Sequence, residues 1–115
     1  MVDNNTPHFQ INVLHSIDMT DDDNVDVVIS LDNGEKYHGT FFTLKNVQNL
    51  MNRWKSTGES PRDIACFWAS NAVIVEELSL STMESVVEFY LKNGDFYHVF
   101  LNISPQKKNV EECLE

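Results

Sequence analysis

Two alternating runs on either side of Asn33-Gly34 constrain this chain more than any other feature in it. Val25, Val27, Ile29 and Leu31 alternate with Asp26, Ser30 and Asp32, and a second run extends from about Lys36 to Phe42. A period of two sends successive side chains to opposite faces of a strand, and Asn-Gly between two such runs is the strongest short-range signal for a hairpin. With Asn33 and Gly34 as a two-residue loop, Asp32 faces Glu35, Ile29 faces His38 and Val25 faces Phe42. Thr40 and Phe42 then share the face of Val25, Val27, Ile29 and Leu31, while Val28, Tyr37 and Phe41 gather on the other. Like charges directly opposite each other are destabilising, so the Asp32/Glu35 pair is itself a hint of a cationic partner.

The flanking segments supply the other elements. His8 to His15 alternates with Phe9, Ile11 and Val13 on one side, a half-buried strand. Thr43 is a good N-cap for a helix to about Lys55, with Leu44, Val47, Leu50, Met51 and Trp54 at helical spacing and Thr57-Gly58 ending it. Ile64–Ala69 and Ala72–Glu76 read as strands around a tight turn or bulge at Ser70-Asn71, or as one bent strand. Ser81-Thr82-Met83-Glu84 has the form of a capping box, opening a second helix ended by Asn93-Gly94. Phe96–Ile103 reads as a last strand, with Tyr97, Val99, Leu101 and Ile103 on one face, and residues 106–115 as a short, weak helix. The expected fold is α+β: a mainly antiparallel sheet of five to six strands with two helices packed on one face. The 115 residues form a single domain, with 1–7 and 104–115 as loose termini.

Charge decides which partners such a domain attracts. The chain carries 8 Lys and Arg against 18 Asp and Glu, a net of -10. Residues 1–57 hold 4 basic and 8 acidic groups and residues 58–115 hold 4 and 10, so the acidity belongs to the folded surface and to no single tail. A hydrophobic content of 42% argues against a disordered acidic chain. Such a surface repels nucleic acid and anionic lipid and attracts basic proteins. No apolar run approaches the roughly 20 residues of a membrane span, and Met-Val-Asp-Asn-Asn lacks the basic and apolar regions of a signal peptide. Cys66 sits in the apolar run Ala65-Cys66-Phe67-Trp68, expected to be buried, and Cys113 in a polar tail. They make no disulfide framework, and a cytoplasmic setting is expected.

No set of residues converges on chemistry. Asp18, Asp21, Asp22, Asp23 and Asp26 miss the spacing of a calcium loop, since the sixth and twelfth positions lack glycine and glutamate. His8, His15, His38 and His98 have no metal-ligand spacing. Cys66 between Ala65 and Phe67 has no cationic neighbour to activate it. Neither a phosphate-binding glycine loop nor a nucleophile elbow is present. The expectation is therefore a non-enzymatic chain with no cofactor and no metal.

Two binding surfaces remain. One is an aromatic set, Tyr37, Phe41, Phe96 and Phe100 with His98, on the second sheet face, which is either covered by the helices or the bent strand or open as a small-ligand pocket. The other is Trp68 together with acidic groups, because tryptophan anchors interfaces and carboxylates suit a basic partner; the alternative is that Trp68 packs in the core.

The stretches Asn33-Gly34-Glu35-x-Tyr37…Phe41-Phe42-Thr43-Leu44-Lys45-Asn46 and Phe67-Trp68-Ala69-Ser70-x-x-Val73-Ile74-Val75-Glu76-Glu77-Leu78 resemble a family of short uncharacterised proteins from Gram-positive bacteria, over about residues 25–100. The resemblance implies a cytosolic bacterial setting and assigns neither activity nor site.

The leading expectation is an interaction module, monomeric or homodimeric, that masks a basic protein partner in the manner of an acidic inhibitor or immunity protein. Its expected contact residues are Asp21, Asp22, Asp23, Asp26, Glu76 and Glu77, with Trp68 as anchor. The rival is a small-ligand-binding or accessory domain built on the aromatic pocket.

Overall fold

The computed structural model describes residues 6–16, 22–61 and 64–105. Asp21, Cys113 and the segment 106–115 lie outside them. The element order is β1 (Phe9–Val13), β2 (Asn24–Leu31), β3 (Lys36–Thr43), α1 (Leu44–Thr57), β4 (Ala72–Val75), α2 (Leu80–Asn93), α3 (Phe96–Val99) and β5 (Leu101–Asn102). The class is α+β, with an open, mixed and mostly antiparallel sheet. Its order is β1-β2-β3-β4, and β5 pairs with β3 beside β4. The β3/β4 pair is parallel, with α1 as the crossover between its strands.

The hairpin forms where expected, in a different register. Gly34 N–H donates to Leu31 O at 3.0 Å, and Leu31 N–H donates to Glu35 O at 2.9 Å. Gly34 has φ +94, whereas Asn33 is not among the positive-φ residues. A two-residue type I′ loop needs positive φ at both centres, so the loop is instead the three residues Asp32-Asn33-Gly34, a tight turn closed by a left-handed glycine. That one extra residue exchanges the faces of β3. Val25 pairs with Phe41, Val27 with Gly39 and Ile29 with Tyr37. Tyr37 and Phe41 are therefore buried with the β2 valines, and His38, Thr40 and Phe42 face the other way. Asp32 and Glu35 do not face each other, and the Glu35 carboxylate accepts from the Tyr37 hydroxyl at 3.1 Å.

One core forms on the Phe41 face. It joins Val25, Val27, Ile29, Leu31, Tyr37 and Phe41 of the sheet to Val73, Leu78, Met83, Val87, Leu91, Phe96 and Phe100. The helices are not both on this face. α2 and α3 supply the core, whereas α1 contributes no described residue to it. α1 instead sends Trp54 to stack on Phe67 (5.4 Å between ring centres, 7° between planes), and Phe67 meets Phe42 edge-on at 5.0 Å. Phe42 points away from Phe41 along the same strand, so α1 and the 64–69 segment cover one end of the opposite face.

Two expected strands take other forms. Residues 64–69 join no ladder, because the edge of β3 beyond β2 is already occupied by β4 and β5. The run 96–103 divides into one helical turn and a two-residue strand. Phe96 and Phe100 share a face both in a strand and in a helix; only His98 separates the two conformations. In the helix His98 turns out to solvent while both phenylalanines stay in the core.

α1 matches expectation: Thr43 Oγ1 accepts from Asn46 N–H, and Gly58 at φ +87 ends the helix. α2 starts two residues before the expected box, on Ser79, whose Oγ accepts from Thr82 N–H at 3.1 Å. Leu78 and Met83, the staple positions for that cap, are both fully buried in the core. Ser79→Ala is expected to cost about 1 kcal/mol in urea unfolding, and Ser81→Ala less than about 0.5 kcal/mol. Equal costs would contradict this cap.

Candidate functional site

The strand directions bring most of the expected acidic contacts to one end of the sheet. β2 begins where β3 and β4 finish, since Asn24 pairs with Phe42 and Thr43 with Val75. Asp22, Asp23, Glu76 and Glu77 therefore gather there with the N-terminus of α1. Their roles differ. Asp22 Oδ1 accepts from Asn46 Nδ2 at 3.3 Å, and its Oδ2 accepts from Asn49 Nδ2 at 3.0 Å. α1 has no acidic residue in its own first turn, so Asp22 brings a negative charge to the positive end of the helix dipole from the segment that leads into β2. Asp23 N–H donates to Thr43 Oγ1 at 3.1 Å, and Asp23 O accepts from Thr43 N–H at 3.0 Å. These two aspartates lash β2 to the start of α1. Glu76 and Glu77 are exposed, have no hydrogen bond or ion pair among the described residues, and line a concavity of about 560 Å³ with Val75 and Thr82.

Asp26 lies apart, on the outer face of the sheet. Its Oδ1 accepts from Thr40 Oγ1 at 2.6 Å and sits 3.6 Å from His38 Nε2. The Thr40 hydroxyl gives its proton to the carboxylate rather than to the imidazole, so the three groups are not arranged as nucleophile, base and orienting acid. Both His38 and Asp26 are open to solvent, at 35% and 46% of side-chain exposure.

The aromatic set is core and does not form a pocket. Tyr37, Phe41, Phe96 and Phe100 are 0–4% exposed. Phe96 meets Tyr37 at 4.8 Å and Phe100 at 5.1 Å, and Phe41 meets Phe100 at 6.1 Å. The face exchange in β3 and the helical turn at Phe96 turn all four rings toward the same interior. Burial, then the hydrogen bond and charge of Glu35, push the Tyr37 phenol up to about 12. The folded chain thus holds that proton more tightly than the unfolded chain, whose tyrosine titrates near ~10. The stability linked to it is complete below about pH 10 and is lost as pH rises toward 12. Urea unfolding should show the parent weakening across that window more than Tyr37→Phe; parallel pH profiles for the two would contradict it.

Trp68 is where an anchor for a partner would stand. It is 76% exposed, the largest exposure among the described large apolar residues. Cys66, expected to be buried, is also exposed. The geometry is set locally. Trp54 O receives N–H groups from Gly58, Glu59 and Ser60 at 3.1, 3.0 and 3.2 Å, which folds the chain back against the end of α1. Buried Ser60 donates its hydroxyl to Ile64 O at 3.0 Å and pins the start of the next segment. Stacking of Phe67 on Trp54 then leaves the neighbouring Cys66 and Trp68 pointing outward. Trp54, Glu59, Cys66 and Trp68 together line a depression of about 260 Å³. Trp54 and Glu59 were not among the expected contacts, since the first reads as part of the apolar stripe of α1 and the second as a loop residue. The Trp54…Gly58-Glu59 spacing, a helix end that reverses onto its own tryptophan, is the signal that could have found them.

Comparison of the chain with protein-family models, with curated proteins and with solved structures finds no match in any of the three. Among the described residues, no helix is long and apolar enough to cross a membrane, and no group of three or more His, Cys, Asp or Glu is placed to hold a metal ion.

Proposed function

We propose that this protein is an interaction module that docks a basic protein partner around Trp68 and masks it, in the manner of an inhibitor or immunity protein. The observation that carries this reading is the exposure of Trp68, 76% open to solvent on a chain of net charge -10. A bare indole on the surface is a ready hot spot, and tryptophan is enriched among residues whose truncation costs an interface most. The surrounding field supplies the rest. Glu76 and Glu77 follow β4, and Glu59 stands beside the tryptophans. Electrostatic steering of a basic partner raises association rates by roughly 10- to 1,000-fold and weakens as salt rises. Asp22, Asp23 and Asp26 add to the field while engaged in internal hydrogen bonds, so Glu76 and Glu77 are the better contact residues. The ligand-pocket reading loses its support, because its rings are packed against one another.

Capture from a native lysate at low salt, on columns of the parent protein and of Trp68→Ala, tests this reading. The expected result is one stoichiometric basic protein held by the parent, released by moderate salt and depleted on the variant column. Retention of nothing specific, or equal retention by both columns, contradicts it.

A further inference from the structure

We infer that the depression between Trp54 and Trp68 is a subsite for a single arginine side chain of the partner. This rests on the reading of a basic protein partner and adds how that partner is recognised. The depression measures about 260 Å³, below the roughly 300–1,000 Å³ of pockets that hold drug-sized molecules. It is thus of a size for one side-chain head. Among the described residues its lining is two indoles, one carboxylate and one thiol, from Trp54, Trp68, Glu59 and Cys66. An indole face attracts a cation through its quadrupole, more strongly than any other side-chain ring, and a carboxylate beside it adds a charged acceptor.

The parts are held for this use. Phe67 stacks on Trp54 at 5.4 Å and 7°, which holds the ring against rotation where it lines the depression. Glu59 is positioned by its own N–H on Trp54 O, and Thr57 Oγ1 donates to Glu59 Oε2 at 2.8 Å. That hydrogen bond orients the carboxylate and leaves Oε1 for a ligand donor. Arg53 and Lys55 flank Trp54 along α1, but among the described residues Glu59 is the charged group that lines the depression. Guanidinium fits better than ammonium: it is planar, weakly hydrated, stacks on indole, and still offers an N–H fork to a carboxylate. An anionic membrane is the wrong partner for a chain of net charge -10.

The chain has two tryptophans and both line the depression, so their fluorescence reports on it directly. The full-length protein is titrated with a capped Gly-Arg-Gly peptide and, separately, with the same peptide carrying citrulline, the uncharged isostere. The arginine peptide is expected to saturate the signal at roughly tenfold lower concentration than the citrulline peptide. Trp68→Ala is expected to abolish saturation, and Glu59→Gln to weaken binding by about fivefold, with circular dichroism unchanged in both. Superimposable arginine and citrulline curves, or a Trp68→Ala protein that titrates like the parent, would overturn the inference. Loss of the peptide signal alongside intact partner capture removes this subsite and leaves the partner reading standing. Arginine-selective titration with no partner captured upholds the subsite and removes that reading.

Discussion

Truncation of Phe96 to alanine is expected to lower the unfolding free energy by about 3–5 kcal/mol. The ring is fully buried and meets Tyr37, Tyr97 and Phe100 at 4.8, 5.2 and 5.1 Å between centres. Removing it takes the transfer energy of a phenyl group and opens a cavity between β3 and α3 that neither element can close, since each is tied to the other through β5. A domain of this size has about 5–15 kcal/mol in total, so the variant should sit near its folding threshold at room temperature. Urea unfolding monitored by circular dichroism measures the loss directly. A cost under about 1 kcal/mol would place Phe96 on an exposed strand face and would reopen the aromatic pocket as a ligand site.

Gly39→Val is expected to destabilise by about 3 kcal/mol, the upper part of the range for overpacking. Strand propensity alone predicts the opposite sign, because valine is favoured and glycine disfavoured in a strand interior. Packing decides the outcome. A Cβ on Gly39 would stand 2.3 Å from Phe100 Cδ1, 2.6 Å from its Cε1 and 3.3 Å from Asn71 O. Phe100 is 2% exposed and packed against Phe96 and Phe41, at 5.1 and 6.1 Å between ring centres. Asn71 is held as well, at φ +52, with its O accepting from Thr40 N–H and its Nδ2 donating to Val99 O at 3.0 Å. Gly39 is thus the point where β3 lets the α3–β5 corner approach. Phe100→Leu in the Gly39→Val background should recover part of the loss, a coupling that a double-mutant cycle reads directly. A neutral or stabilising Gly39→Val would mean that this close approach does not exist.

These two sites also show what the sequence could and could not disclose. The pattern of β2 and β3, the helix from Thr43 to Gly58 and the end of α2 at Gly94 were all legible, because alternation and capping residues act locally. The register of the hairpin was not. Asn33-Gly34 serves a two-residue or a three-residue loop, and the choice moved Tyr37 and Phe41 from one face to the other. The last strand failed for a related reason, since Phe96 and Phe100 satisfy both a strand and a helical period. The 64–69 run is apolar enough for a strand and lacks a partner, a fact about sheet edges that no local window contains. At the surface, Trp68 and the glutamates after β4 could be named from the sequence only as candidate contacts, whereas the internal hydrogen bonds of Asp22 and Asp23 could not be read from it. Their partners Asn46, Asn49 and Thr43 lie some 20 to 27 positions away in the chain.

The measurement that tests the central claim most directly is calorimetric titration of the captured partner against parent and Trp68→Ala protein, each at low and at physiological salt. Docking of a basic partner on Trp68 predicts at least about 30-fold weaker binding by the variant, the loss of a hot-spot contact, and affinity for the parent that falls as salt rises. Affinity that changes neither with Trp68 nor with salt would contradict both the anchor and the steering field.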